Sequence, residues 1–207
     1  MNWNSQRPYI IAAPTAFVII ILGILISAPL DTKWDILGSY DLSDLGKYTT
    51  RTLACALVFN FSCFISGILI LLFGVGKYRF EKGVNKVAGF FFMTCGLGLF
   101  LVGILTADNP TSHNVAAGIF AISMSTAVVL ATVSDIMKGN RLILFSSIII
   151  LIALVGGWIV FELMLDILKN ARSELLAICC AAAWFMVQIY KYNEEGKLSP
   201  DYETVPE

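Results

Sequence analysis

Six long apolar runs separated by short polar breaks dominate the chain. The first, Pro8–Leu30, supplies about the twenty residues a helix needs to cross a bilayer. Arg51–Val75, Val84–Ala107, Ser112–Ile136, Leu142–Leu165 and Ser173–Tyr190 are each long enough to do the same. The pattern predicts an all-α integral membrane bundle of six transmembrane helices. No long repeat or low-complexity tract interrupts it, so residues 1–191 read as one membrane domain and 192–207 as a polar, acidic tail too short to pack alone. The first run is expected to remain as a helix: it is longer than the apolar core of a cleaved signal, and Pro29 follows Ala28 at the one plausible cut.

The polar breaks differ in kind. Asp31–Thr50 is the longest, and it alternates acids with large apolar residues such as Trp34, Tyr40, Leu42 and Leu45. Such a segment should lie at the membrane interface, either as a solvated connector or as a cap over a pocket. The shortest, Asp108–Ser112, forces a turn at Asn109-Pro110, since proline cannot continue a helix and its predecessor avoids the helical region. Thr111 or Ser112 is expected to cap the fourth helix. Placing both termini in the cytoplasm leaves five of the fourteen Lys and Arg residues outside, namely Lys33, Lys47, Arg51, Lys169 and Arg172. Retention of basic residues on the cytoplasmic side favours that orientation. A cell-membrane location follows.

Composition narrows the class further. With 57% hydrophobic and 14% charged residues and a mean hydropathy of +0.79, the chain is outside the range of soluble domains. Its net charge of −1 provides no basic face for nucleic acid. Cys55, Cys63, Cys95, Cys179 and Cys180 all fall in apolar runs and read as small core residues. A haem held by two histidines is excluded by the single His113, and no nucleotide or zinc motif is present, so any cofactor is unknown. Gly74-x-Gly76 and Gly96-x-Gly98 with Gly103 read as helix-packing positions.

Candidate chemistry resides in polar groups within the apolar runs or at their outer ends, because such groups are costly there. The set is Asn60, Asp108, His113, Glu162, Asp166 and Glu174, joined by Ser43 and Asp44 from the first loop. Asn60 is an amide well inside its run and needs a partner, by default another helix. Asp108 opposes the dipole of the third helix unless something compensates it, and His113 falls in the first turn of the fourth. Glu162 and Asp166, four apart, share a face near the end of the fifth helix. Glu174 opens the sixth, where the dipole favours an acid.

These residues carry a resemblance. Leu42-Ser43-Asp44-Leu45-Gly46, Phe59-Asn60, the stretch Gly103–His113 with Phe120 beyond, and Ser173-Glu174 ahead of Trp184 resemble, in order and spacing, an archaeal and bacterial six-helix family of unknown function. That family is distantly similar to the Frag/DRAM/Sfk membrane proteins. Leu105-Thr106-Ala107 stands where a Phe-Pro-like step is expected. Frag-type relatives take part in remodelling the lipid of glycosylphosphatidylinositol anchors. The resemblance therefore implies an outward-facing site that binds or modifies a lipid or lipid-linked substrate, with membrane lipids as partners. His113 would be general acid or base, Asp44 or Asp108 would orient it, and Ser43 would be the nucleophile if within reach. Asn60 and Glu174 would hold substrate. The alternative is a non-catalytic membrane scaffold or accessory subunit in which the same groups tie the first loop to the helix ends.

Overall fold

The computed structural model describes residues 6–36, 40–139, 141–163 and 171–198, with the backbone alone for 141, 142, 154, 155 and 157–163. The described residues form helices and turns without a strand: α1 (Arg7–Ser27), α2 (Leu53–Phe80), α3 (Val84–Ile104), α4 (Pro110–Lys138), α5 (Arg141–Leu163) and α6 (Ala171–Glu194). Two short 3-10 turns, Ala28–Leu30 and Leu42–Gly46, sit in the first loop. Five helices are long and apolar enough to cross a membrane, and α5 contributes the apolar stretch Ile143–Ala153.

Local chemistry sets the boundaries. Thr52 caps α2 by accepting from Cys55 N (3.3 Å). The helix then runs five residues past the expected Val75, because Lys77 and Arg79 in its last turn complement the dipole. Gly83, at φ 59°, turns the chain into α3 with a backbone that other residues rarely adopt. The start of α4 differs from expectation. Asn109, not Thr111 or Ser112, is the cap and accepts from Ser112 N (3.4 Å). Pro110 is the first helical residue, where a missing N–H costs nothing.

Glycines govern how the helices pack. Cβ atoms built at Gly67 and Gly74 of α2 would strike the backbone of Phe100 and Met93, and those at Gly89, Gly96 and Gly103 of α3 would strike the backbone of α2. Spacings of seven within each helix keep these positions on one seam. In hydrocarbon, where apolar side chains gain nothing by leaving lipid, such close approach is what holds helices together. The Gly-x-Gly pairs divide their duties, since two residues correspond to about 200° of helix. Gly74 faces α3 while Gly76 faces Tyr9 of α1, and Gly96 faces α2 while Gly98 faces Phe120 of α4.

The remaining contacts close a ring, with α6 against α1 and α5, and α5 against α4. Its centre is aromatic. Phe185 lies 5.0 Å from Phe17 and 5.1 Å from Phe73, while Trp184 lies 5.7 Å from Phe92, so α6 touches α1, α2 and α3 at once. Both described ends of the chain meet at one carboxylate. Glu81 accepts from Gln6 Nε2 (3.4 Å) and from Lys197 Nζ (2.8 Å), so the N- and C-terminal segments share one face of the bundle. The boundary expected at 191/192 falls within α6: Tyr192 is buried, and Lys197 folds back onto Glu81.

Gly67→Ala and Gly96→Ala place a Cβ 2.3 Å from Phe100 N and Leu71 N respectively. Each is expected to cost about 1–3 kcal/mol, read as a lower thermal midpoint in detergent. Gly118→Ala, with nothing within 4 Å, should stay within about 1 kcal/mol of wild type. Equal midpoints for all three would show that the glycine seam does not set stability.

Candidate functional site

The face opposite Glu81 carries every described residue of the expected site, and there the first loop is folded, not merely connecting. Trp34, Leu42 and Leu45 are buried beneath it. Trp34 Nε1 donates to Asp41 O (3.2 Å), the Arg51 guanidinium lies 4.5 Å from the Tyr40 ring centroid, and Arg51 Nη1 pairs with Asp31 at 3.8 Å. The segment is therefore a cap, and leucine side chains fill the space under it.

Three helix-borne groups fasten this cap by its main chain. Asn60, buried on α2, donates Nδ2 to Gly46 O (2.9 Å). A Cβ at Gly46 would sit 2.2 Å from Asn60 Oδ1, so only glycine leaves room for that bond. The amide therefore glues helix to loop, not helix to helix. Glu174, in the first turn of α6, accepts from Leu42 N (2.7 Å), with the Ser43 N–H also directed to it. Beside it Ala171 N donates to Tyr40 O (2.9 Å) and Arg172 Nε to Ile36 O (3.1 Å).

Asp108 provides the third fastening. It stands in the turn four residues past the end of α3, and accepts from Tyr48 N (2.9 Å), Thr49 N (3.1 Å), Thr49 Oγ1 (2.5 Å) and Thr106 Oγ1 (2.9 Å). Desolvation is the largest single influence and would raise the carboxyl, but the four donors together outweigh it and hold the group at about 2. They are the compensation that a carboxylate near a helix C-terminus requires.

The two remaining candidates are also engaged locally. Asp44 accepts from Asp41 N (3.2 Å) and pairs with Lys47 (2.5 Å), bracing the 3-10 turn. His113 is buried, and its Nδ1 lies 2.8 Å from Leu105 O. A carbonyl oxygen only accepts, so Nδ1 carries the proton. Among the described residues no hydrogen bond joins His113 to Asp44, Asp108 or Ser43. The candidate set thus lies at one end of the bundle, where Asn60, Asp108 and Glu174 fasten one loop, and no hydrogen bond among the described residues links the set into an acid–base chain. Asp166 lies outside the described residues, as does the side chain of Glu162. No group of three or more His, Cys, Asp or Glu suited to a metal occurs among the described residues, and the cysteines there are free thiols.

The family described as Protein of unknown function (DUF998) matches residues 10–189, which takes in the seam glycines, the cap and its fasteners. The chain belongs to it. No curated protein and no solved structure matches the chain. This DUF998 member is a multi-pass membrane protein by the length and composition of five helices.

A second polar set in this DUF998 chain was not singled out from sequence. Asp135 and Lys191 form an ion pair with side chains 1% and 4% exposed, between α4 and α6. Gln188 Nε2 donates to the same carboxylate (3.2 Å), and Lys77 Nζ donates to Tyr192 Oη (3.0 Å). In sequence each charge lies close to a helix end and resembles an emerging terminus. The available signal was the three-residue step from Gln188 to Lys191, which puts both on one face. Nearer the end, burial alone would raise the Glu81 carboxyl, but Lys77, Lys197 and Lys138 outweigh it and hold it at about 2.

Two outcomes test the cap. Asn60→Ala leaves Gly46 O without its donor and is expected to cost about 1–3 kcal/mol, read by thermal unfolding, whereas Tyr48→Phe, which keeps the main-chain donor, should cost far less. The Asp108 carboxyl sits at about 2 in the folded chain, against roughly 3.9 when unfolded. Its contribution is therefore complete above about pH 4 and lost as the pH falls through about 2. Trp34 fluorescence should report loosening of the cap over that window in wild type and a flatter response in Asp108→Asn. Identical pH curves would mean that Asp108 does not hold the cap.

Proposed function

We propose that this protein is a non-catalytic scaffold or accessory subunit of the cell membrane, with six spanning helices, cytoplasmic termini and a rigid outer cap. One observation carries the reading: Asn60, Asp108 and Glu174 each bond main-chain groups of the first loop, and the hydroxyls of Thr49 and Thr106 complete the shell of Asp108. A catalytic carboxylate must instead leave a face toward a base or a substrate. The orientation is supported by the excess of Lys and Arg toward the end that both chain termini share.

A second reading has one specific support. With the proton on Nδ1, a neutral His113 keeps a lone pair on Nε2, which bonds to nothing among the described residues. That nitrogen could serve as a base toward a lipid or lipid-linked substrate reaching the outer face. The shallow apolar groove of about 220 Å³ between α1 and α2, lined by Tyr9, Ala12 and Leu72 among others, lies toward the opposite end and adds nothing to such a site.

A lipidomic comparison of cells carrying wild type, His113→Ala or no protein separates the two. The scaffold reading expects the wild-type and His113→Ala profiles to coincide. A lipid species that accumulates equally in the His113→Ala and protein-free cells, with the variant present at wild-type level in the membrane, would replace it with the enzymatic reading.

A further inference from the structure

The inner part of the bundle, away from the cap, contains polar groups that the fastening scheme does not use. Besides Asn85 Oδ1 at the start of α3, four of them lack a hydrogen-bond partner among the described residues: Thr132 Oγ1 on α4, Ser147 Oγ on α5, and Trp184 Nε1 and Gln188 Oε1 on α6. Their residues are between 0% and 3% exposed, so bulk solvent does not satisfy them.

Their placement is concerted. Thr132 lies six residues before the end of α4, Ser147 six after the start of α5, and Gln188 six before the end of α6. At 1.5 Å per residue each is roughly 9 Å inside the same face of the bundle. The Gln188–Asp135 bond sets α4 and α6 at matching depth, and α5 packs against both. Thr132 shares a helix face with Asp135, three residues on, and Trp184 shares one with Gln188, four on.

Buried polar atoms in a membrane interior are seldom left unpaired, because hydrocarbon provides no substitute for water. The chemistry of this set defines what would pair it. Two hydroxyls can donate or accept, the Gln188 carbonyl accepts, and the Trp184 indole donates. A ligand must therefore both donate and accept. It must also be uncharged, since Asp135 and Lys191 neutralise each other and Gln188 occupies the second carboxylate oxygen. It must be small, because all four residues are closed over.

We propose that α4, α5 and α6 form an internal binding site for a small uncharged hydroxyl ligand, water or a short polyol, held by Thr132, Ser147, Trp184 and Gln188 beside the Asp135–Lys191 pair. This site is independent of the scaffold reading and of the outer cap.

The test uses the full chain in nanodiscs, labelled with ¹⁵N at the tryptophan indoles, with Trp184 assigned from Trp184→Phe. A resident water gives a cross-peak between the Trp184 indole proton and water, unmoved by glycerol. A polyol site gives a saturable shift of the Trp184 resonance on glycerol titration. In either case Thr132→Val and Ser147→Ala, made singly and together, should abolish or at least halve the signal, while the Trp34 indole marks a folded cap. The proposal falls if folded wild type shows neither the water cross-peak nor a glycerol shift. It falls equally if all three variants keep the wild-type signal.

Discussion

Backbone contact between α2 and α3 is the constraint from which the rest of the molecule follows. In a bilayer the solvent of the helix exterior is as apolar as the side chains, so association depends on surfaces that fit closely enough to exclude lipid. Gly67, Gly74, Gly89, Gly96 and Gly103 provide that fit, and their seven-residue spacing preserves it along the seam. A pair locked in this way fixes the depth of everything attached to it. Asn60 is set in the first third of α2 and Glu81 just past its C-terminal end, and from these two points the cap and both described chain ends are held. Gly76 and Gly98 extend the same logic outward to α1 and α4.

The two ends hold their carboxylates differently. At the cap Asp108 and Glu174 draw on neutral N–H and hydroxyl donors, beside the ion pairs Arg51–Asp31 and Lys47–Asp44. At the opposite end acids meet ammonium groups, with Glu81 drawing on Lys197 and Lys138 and Asp135 on Lys191. A buried ion pair contributes less to stability than its Coulomb energy implies, because both ions forfeit hydration. Retaining Asp135–Lys191 within the bundle is thus a cost that the apolar packing of the helices gives no reason for.

Hydropathy made the helices legible, since long apolar runs can be little else, and Asn109-Pro110 made the turn between α3 and α4 legible through proline chemistry. The glycine pairs were readable as packing positions from residue type alone. The partners of the polar residues were not. Asn60 was expected to meet another helix and instead meets Gly46 O, because the loop folds down onto α2, an arrangement that no local pattern encodes. The position of Asp108 near a helix C-terminus shows from sequence that it needs compensation, but not that Tyr48 and Thr49, some sixty positions away, donate to it. Asp135 and Lys191 were masked by their nearness to helix ends, where a charge ordinarily needs no explanation.

The fasteners of the cap grip amide and carbonyl groups, which every residue type possesses. Two side-chain positions matter to the attachment: Gly46, which leaves room for Asn60, and Thr49, whose hydroxyl donates to Asp108. Tyr48, exposed, offers its main-chain N–H. The loop is in that sense a mounting plate: its frame is dictated by the helices, through groups that most residue types in the same place would also supply.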